Sequence, residues 1–204
     1  MAHDIPLKCR CGAVHGRALQ VDPVRCNRLI CMCDDCQVYG RWLAQHGSPI
    51  LDPSGGTEIL QMTPSQLRID GGSEHVRCLR LSPKGLMRWH TGCCHTPIGN
   101  TLEKARVPFV GVPMAFVDLD PDERDSKLGP VLCRIHARYG KPPLPADSHP
   151  RAPGWLLRRF VWQMLRDSFA GRHRPSPLRH DDGSPLVTPT VLSLEERQSL
   201  NRST

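Results

Sequence analysis

Cys31-Met32-Cys33-Asp34-Asp35-Cys36 carries three thiols in six residues, with the spacing C-x-C-x-x-C. A tetrahedral zinc bound by thiolates at about 2.3 Å needs sulfurs roughly 4 Å apart, and a chain that turns at Met32 and again at Asp34-Asp35 delivers three of them from one loop. The fourth ligand comes from elsewhere or is absent, which separates a closed structural site from an open one that admits water or substrate. Buried inert cysteines are the ordinary alternative, since free Cys is among the most buried residue types, but three thiols this close argue against it.

Working outward, residues 25–30 read as a strand that runs into this loop, and residues 37–49 as a short helix stopped by Gly47-Ser48-Pro49. Upstream lies Cys9-Arg10-Cys11-Gly12, a metal-binding turn that leads into a strand, with Gly12 free to turn tightly. Downstream, residues 57–62, 67–69, 75–81 and 86–90 are short runs separated by turn signals, the pattern of a β-meander. Within the third run Val76 and Cys78 alternate with His75, Arg77 and Arg80, so one face is expected buried and one wet. The runs deliver the chain to a third cluster, Cys93-Cys94. Residues 107–117 are apolar but carry Pro108 and Pro113, which fits an edge strand or covering segment.

The 204 residues suit one domain of ordinary size, residues 1–141, with an extension over 142–204 that begins in a proline-rich linker. Residues 155–170 form the clearest helix, started near Pro153 and stopped by Gly171. Trp155, Trp162, Leu165 and Phe169 make its apolar stripe, expected to pack onto the domain or a second subunit, with Arg158, Arg159 and Arg166 outside it. Ser193-Leu194-Glu195-Glu196 has the form of a capping box and predicts a last short helix.

Residues 1–8 lack the apolar core of a signal peptide and no run of 18 apolar residues occurs, so a cytoplasmic, soluble protein without a membrane partner is expected. In that reducing compartment ten cysteines point to metal rather than disulfides. The net charge of +7 admits a nucleic-acid partner, but the basic residues are dispersed with few aromatics among them, which argues against one. Self-association is left open.

Three clusters, Cys9/Cys11, Cys31/Cys33/Cys36 and Cys93/Cys94, supply seven thiols: one closed four-cysteine site and one open three-cysteine site. Cys26, Cys78 and Cys133 read as core, although Cys26 is an alternative fourth ligand for the middle cluster. Asp34 and Asp35 are candidates for a proton donor or acceptor but read first as exposed turn carboxylates. His3, His46, His136, His149, His173 and His180 have no metal spacing and read as surface.

The order Cys9-x-Cys11-Gly12-Ala13-Val14, Cys31-x-Cys33-x-x-Cys36 with Gly40 behind it, and Cys94-x-Thr96-Pro97-Ile98 resembles the family of glutathione-dependent formaldehyde-activating enzymes, which includes the centromere protein V domain. The resemblance covers residues 7–101. It implies a mainly β fold of the Mss4-like type, a structural zinc from the first and last clusters, and a second zinc at the middle one. It also implies carbon–sulfur lyase chemistry on a small thiol adduct such as a glutathione conjugate. That family usually closes the structural site with C-x-x-C-G, whereas here Thr91 stands at the first cysteine and His95 at the glycine. Cys93, His90 or His95 must then supply the missing ligand, and Cys93 is the chemically matched choice. Two alternatives to an enzyme remain: a zinc-supported binding module for a protein or nucleic acid, and a redox-sensing thiol protein.

Overall fold

In the computed structural model, which describes residues 2–202, two antiparallel strands, β1 (His3–Lys8) and β2 (His15–Val21), flank the Cys9-Arg10-Cys11-Gly12 turn. Gly12 takes φ +81°, the left-handed backbone that a residue without Cβ adopts freely, and its N–H bonds the Cys9 carbonyl at 2.8 Å. Next come β3 (Asn27–Cys31), α1 (Asp34–Gln45), β4 (Thr57–Met62), β5 (Leu67–Gly71), β6 (Val76–Arg80), β7 (Met87–Thr91), β8 (Pro97–Thr101) and β9 (Val110–Pro113). The remainder holds α2 (Pro121–Leu128), β10 (Arg134–Ile135), α3 (Gly154–Phe169), β11 (Thr190–Val191) and α4 (Leu194–Arg202).

The protein is mainly β, with β1, β2 and β5 in one sheet and a second in the order β10-β3-β4-β9-β8-β7-β6-β11. The runs between 57 and 90 therefore do not form one meander. β5 leaves the large sheet to pair with β2, placing Arg68 opposite Arg17. Turn signals mark where strands stop, not which strand they meet. Nor do residues 107–117 form an edge: β9 lies between β4 and β8. Pro108 precedes this strand and Pro113 is its last residue, so neither removes a donor from its middle.

The main core fills the space between the two sheets, where Ile5, Leu7 and Val14 meet Leu60, Trp89, Ile98 and Val112. The other face of the large sheet is covered by α1, so β7 is buried along its whole length. Strand alternation then sorts its side chains: Met87 and Trp89 enter the main core, while Arg88 and His90 face α1. On β6 the expected wet face is partly covered too: Leu79 and the following Leu81, on the side of Arg77, pack with Val38, Tyr39 and Leu43 of α1. Arg80, which by alternation shares the face of Val76 and Cys78, is buried where β11 pairs with β6 and the Leu192 N–H bonds the Arg80 carbonyl.

α1 begins at Asp34 rather than at 37, which puts Cys36 in its first turn. Asp34 and Asp35 are not in a turn: they suit the positive end of the helix and pair with Arg197 of α4. The capping box at Ser193 is present, with Ser193 Oγ accepting from the Glu196 N–H at 3.1 Å and the Ser193 N–H donating to Glu196 Oε2 at 2.7 Å. α3 docks by the face opposite to the expected one. Leu156 is buried, Phe160 meets Phe109 edge-on, and Arg159 bonds Asn27 Oδ1 and the Val24 and Cys26 carbonyls. The helix is apolar on both sides, and periodicity alone does not say which side the domain takes.

The small sheet is pinned where β2 meets β5 at Gly16, because a Cβ there would stand 2.0 Å from the Arg68 carbonyl oxygen. Gly16→Ala must push the strands apart. It is expected to cost roughly 1–3 kcal/mol and to lower the melting temperature by several degrees, measured by thermal denaturation followed by circular dichroism.

Candidate metal centres

The β1–β2 turn and the β7–β8 turn meet at one end of the sandwich. There Cys9, Cys11, Cys93 and Cys94 bring their four sulfurs within 4.8 Å of one another. Cys9–Cys11 is 3.5 Å, Cys11–Cys93 3.3 Å, Cys93–Cys94 3.9 Å and Cys9–Cys93 4.0 Å. Four ligands at about 2.3 Å around a tetrahedral ion stand roughly 3.8 Å apart, so these spacings match an all-thiolate zinc site. Neighbouring Cys93 and Cys94 converge because the chain folds tightly over 91–96. The Thr91 N–H donates to the Thr96 carbonyl at 2.9 Å, the Thr96 N–H to Thr91 Oγ1 at 3.0 Å and the His95 N–H to the Thr91 carbonyl at 2.9 Å, and His95 takes φ +55°.

Thr91, which stands where a cysteine was expected, supports the site instead. Its hydroxyl lies 3.4 Å from Cys94 Sγ, and that of Thr96 3.2 Å. Burial opposes ionisation of Cys94, but these hydroxyls and the backbone N–H groups of Cys11 and Thr96 outweigh it and bring the thiol to about 5. Burial and a bond to Cys11 push Cys93 up to about 12.

His90 and His95 are not in this sulfur group. They stack 5.8 Å apart beside Trp42, and His46, exposed as expected, lies 4.5 Å from the His95 ring and 4.3 Å from Trp42. With Arg10 bonding the carbonyls of Gly47 and Cys94, this ring cluster ties the end of α1 to the four-sulfur turn.

Cys31 ends β3, Cys33 precedes α1 and Cys36 lies in its first turn, and their sulfurs also fall within 4.8 Å of one another. A strand that runs directly into a helix at this spacing turns all three inward. Cys26 does not join them. It sits beyond the other end of β3, its thiol donates to the Leu128 carbonyl at 3.1 Å, and burial pushes it up to about 11. Cys133 packs in the same apolar cluster as Cys31 and Cys36 but is outside the sulfur group. Among the described residues, then, this group has three protein ligands.

Bonds from the Cys31 and Cys33 thiols, with the charge of Arg88, hold Cys36 well below its ordinary range, while bonds to Cys33 and Cys36 and burial push Cys31 up. Sequence reasoning missed Arg88. It is 2% exposed, its Nη1 is 4.0 Å from Cys36 Sγ and 3.4 Å from Asn100 Oδ1, and its guanidinium stands 5.1 Å over the Tyr39 ring. Among the described residues it has no carboxylate partner, and its Nε is unbonded. A divalent ion with three thiolates carries one net negative charge, and a buried guanidinium beside it makes the assembly neutral. The run 86–90 contained the signal, Arg88 and His90 on one face, but that alternation reads as a solvent face unless a helix is known to lie over it.

A separate concavity of about 650 Å³ lies between the small sheet and α3, and neither cysteine group lines it. Its polar walls are largely self-satisfied: Asn27 donates to both Gln61 and Gln163, and Arg166 to Asp167.

The profile of a family of unknown function, DUF6151, matches residues 1–188. The chain belongs to that family. No curated protein matches this DUF6151 member. A crystal structure of a Rhodobacter sphaeroides protein is similar at 17% identity and a TM-score of 0.41, over 58% of this chain and 94% of that one.

Two outcomes are expected. Arg88→Met keeps the bulk and removes the charge, so it should weaken zinc at the three-cysteine site roughly ten- to a hundredfold in a chelator competition while sparing the four-cysteine site; Arg88→Lys should retain more. Burial lowers His90 to about 4, so the folded state resists protonation that the unfolded chain accepts near 6.5. Stability from this group is complete above pH 6.5 and drains away as pH falls to about 4, by roughly 3 kcal/mol. Urea melts of wild type and His90→Phe across that range should differ by this slope.

Proposed function

We propose that the protein is a two-zinc protein in which the four-cysteine site is structural and the three-cysteine site is the working one, acting on thiol adducts of small aldehydes as a carbon–sulfur lyase. The observation that carries this is the asymmetry between the groups: one offers four sulfurs and the other three. We also assign the core to the Mss4-like type, on the resemblance of the three cysteine motifs, and place the protein in the cytoplasm, where its ten free thiols would stay reduced.

All-sulfur donor sets favour zinc over harder cations, and the sulfur spacings suit its bond lengths. Zinc at the open site supplies a centre that keeps a bound thiol deprotonated at neutral pH. The chain does the rest. Cys31, Cys33 and Cys36 would hold the ion as three of its ligands, so that a substrate sulfur could serve as the fourth. Their negative charge blunts Lewis acidity, which favours exchange of thiolates over activation of water. With Arg88 beside it, a site that takes up a fourth thiolate would carry one net negative charge instead of two. Making the adduct forms a bond from sulfur to the carbonyl carbon and protonates the carbonyl oxygen; breaking it reverses both steps. Asp34 and Asp35 are engaged with Arg197, which argues against either as the proton carrier.

Zinc analysis of the purified chain should give two ions per molecule. Cys33→Ser should lose one of them and abolish glutathione-dependent turnover of formaldehyde or a related small aldehyde. Retention of a single zinc by the wild type, or turnover that survives Cys33→Ser, would overturn the assignment.

A further inference from the structure

The inner side of α3 is accounted for by its docking, but the outer side is not. Trp155, Leu157, Val161, Trp162, Leu165 and Phe169 are 44, 51, 52, 69, 50 and 91% exposed. A helix that is apolar all round is normally covered on every side. Charge says what covers this one. Residues 151–174 hold six arginines, Arg151, Arg158, Arg159, Arg166, Arg172 and Arg174, against a single carboxylate, Asp167. This segment therefore carries five of the seven net positive charges of the chain. Asp167 does not offset them outward, being buried and paired with Arg166 at 2.9 Å and Arg172 at 3.7 Å.

We propose that the outer face of α3 is a docking surface for an anionic lipid bilayer, with its aromatic and aliphatic side chains seated at the headgroup level and the exposed Arg158, Arg151 and Arg174 on the phosphates, while Arg159, Arg166 and Arg172 are engaged toward the protein. Trp and Phe on one face with arginines beside them is the composition of an interfacial helix. Arg158, expected outside the stripe, lies within it beside Leu157, Val161, Trp162 and Leu165, where its long stem lets the guanidinium reach the headgroups while its methylenes stay among apolar neighbours. At 16 residues α3 does not span: no helix among the described residues is long and apolar enough to cross a membrane. The sequence expectation of no membrane partner rested on that absence of a span, and an in-plane helix is a different case.

A second copy of the chain fits this face less well. Antiparallel pairing centred on Trp162 sets Arg158 of one copy against Arg166 of the other and brings together two segments of the same charge. A protein partner needs a groove shaped to side chains that protrude as far as Phe169 and Trp162, whereas a lipid interface yields to them.

The test is co-sedimentation of the full chain with vesicles of mixed phosphatidylglycerol and phosphatidylcholine, beside vesicles of phosphatidylcholine alone. Binding to the anionic vesicles is expected at low salt, with a loss of roughly tenfold on pure phosphatidylcholine or in high salt. Trp162→Glu, Phe169→Glu and Arg158→Glu each remove exposed groups, so the fold should persist by circular dichroism while vesicle binding falls roughly tenfold. Absence of binding at low salt overturns the proposal, as does equal binding by the three variants. Light scattering that shows a dimer dissolved by Phe169→Glu, without vesicle binding, assigns the face to a second copy instead. Zinc content and aldehyde turnover of the variants should match wild type, which keeps this outcome separate from that of the lyase assignment.

Discussion

Sulfurs held 3.3–4.0 Å apart cannot all carry charge unless a cation stands among them, and much of this molecule is arranged around that constraint. The four-sulfur group joins the turn between the first two strands to a turn 80 residues later, and so clamps the small sheet to the large one. The core between the sheets closes beneath it. The three-sulfur group faces the same requirement with one ligand fewer and answers part of it with Arg88, delivered from a strand that also ends in the four-sulfur turn. The two groups are thus linked through β7, which feeds one and neutralises the other.

What was legible in the sequence was local. The spacing of Cys31, Cys33 and Cys36 survives folding because a strand-to-helix junction preserves short distances along the chain, and the same is true of Cys9 with Cys11. Helix α3 and the Ser193 capping box were visible for the same reason. Cys93 joins Cys94 only because Thr91 and Thr96 tighten the turn between them, a geometry that no spacing rule contains.

What was not legible depended on partners distant in sequence. Nothing in Leu67-Arg68-Ile69 announces that it pairs with residues 16–18 rather than with its neighbour in the chain. Arg88 looked like a residue on a wet face until α1 lay over the strand. His46 was rightly expected at the surface, but the Trp42 and His95 rings beside it come from contacts that spacing does not carry. In each case the missing information was which surface covers which, and single-sequence periodicity carries only that a surface has two sides.

The large sheet ends on both flanks in strands of two residues, Arg134–Ile135 and Thr190–Val191. In the small sheet one of the two outer strands, β1, carries Pro6, whose carbonyl is already taken by the Asp118 N–H. Ladders this short or already occupied offer little for another chain to extend. Growth by strand addition, the usual route to fibrils, is therefore blunted at these margins. Association across these margins has to proceed through side chains, face to face, and β5 (Leu67–Gly71) is left as the longest edge of the small sheet open to a backbone partner.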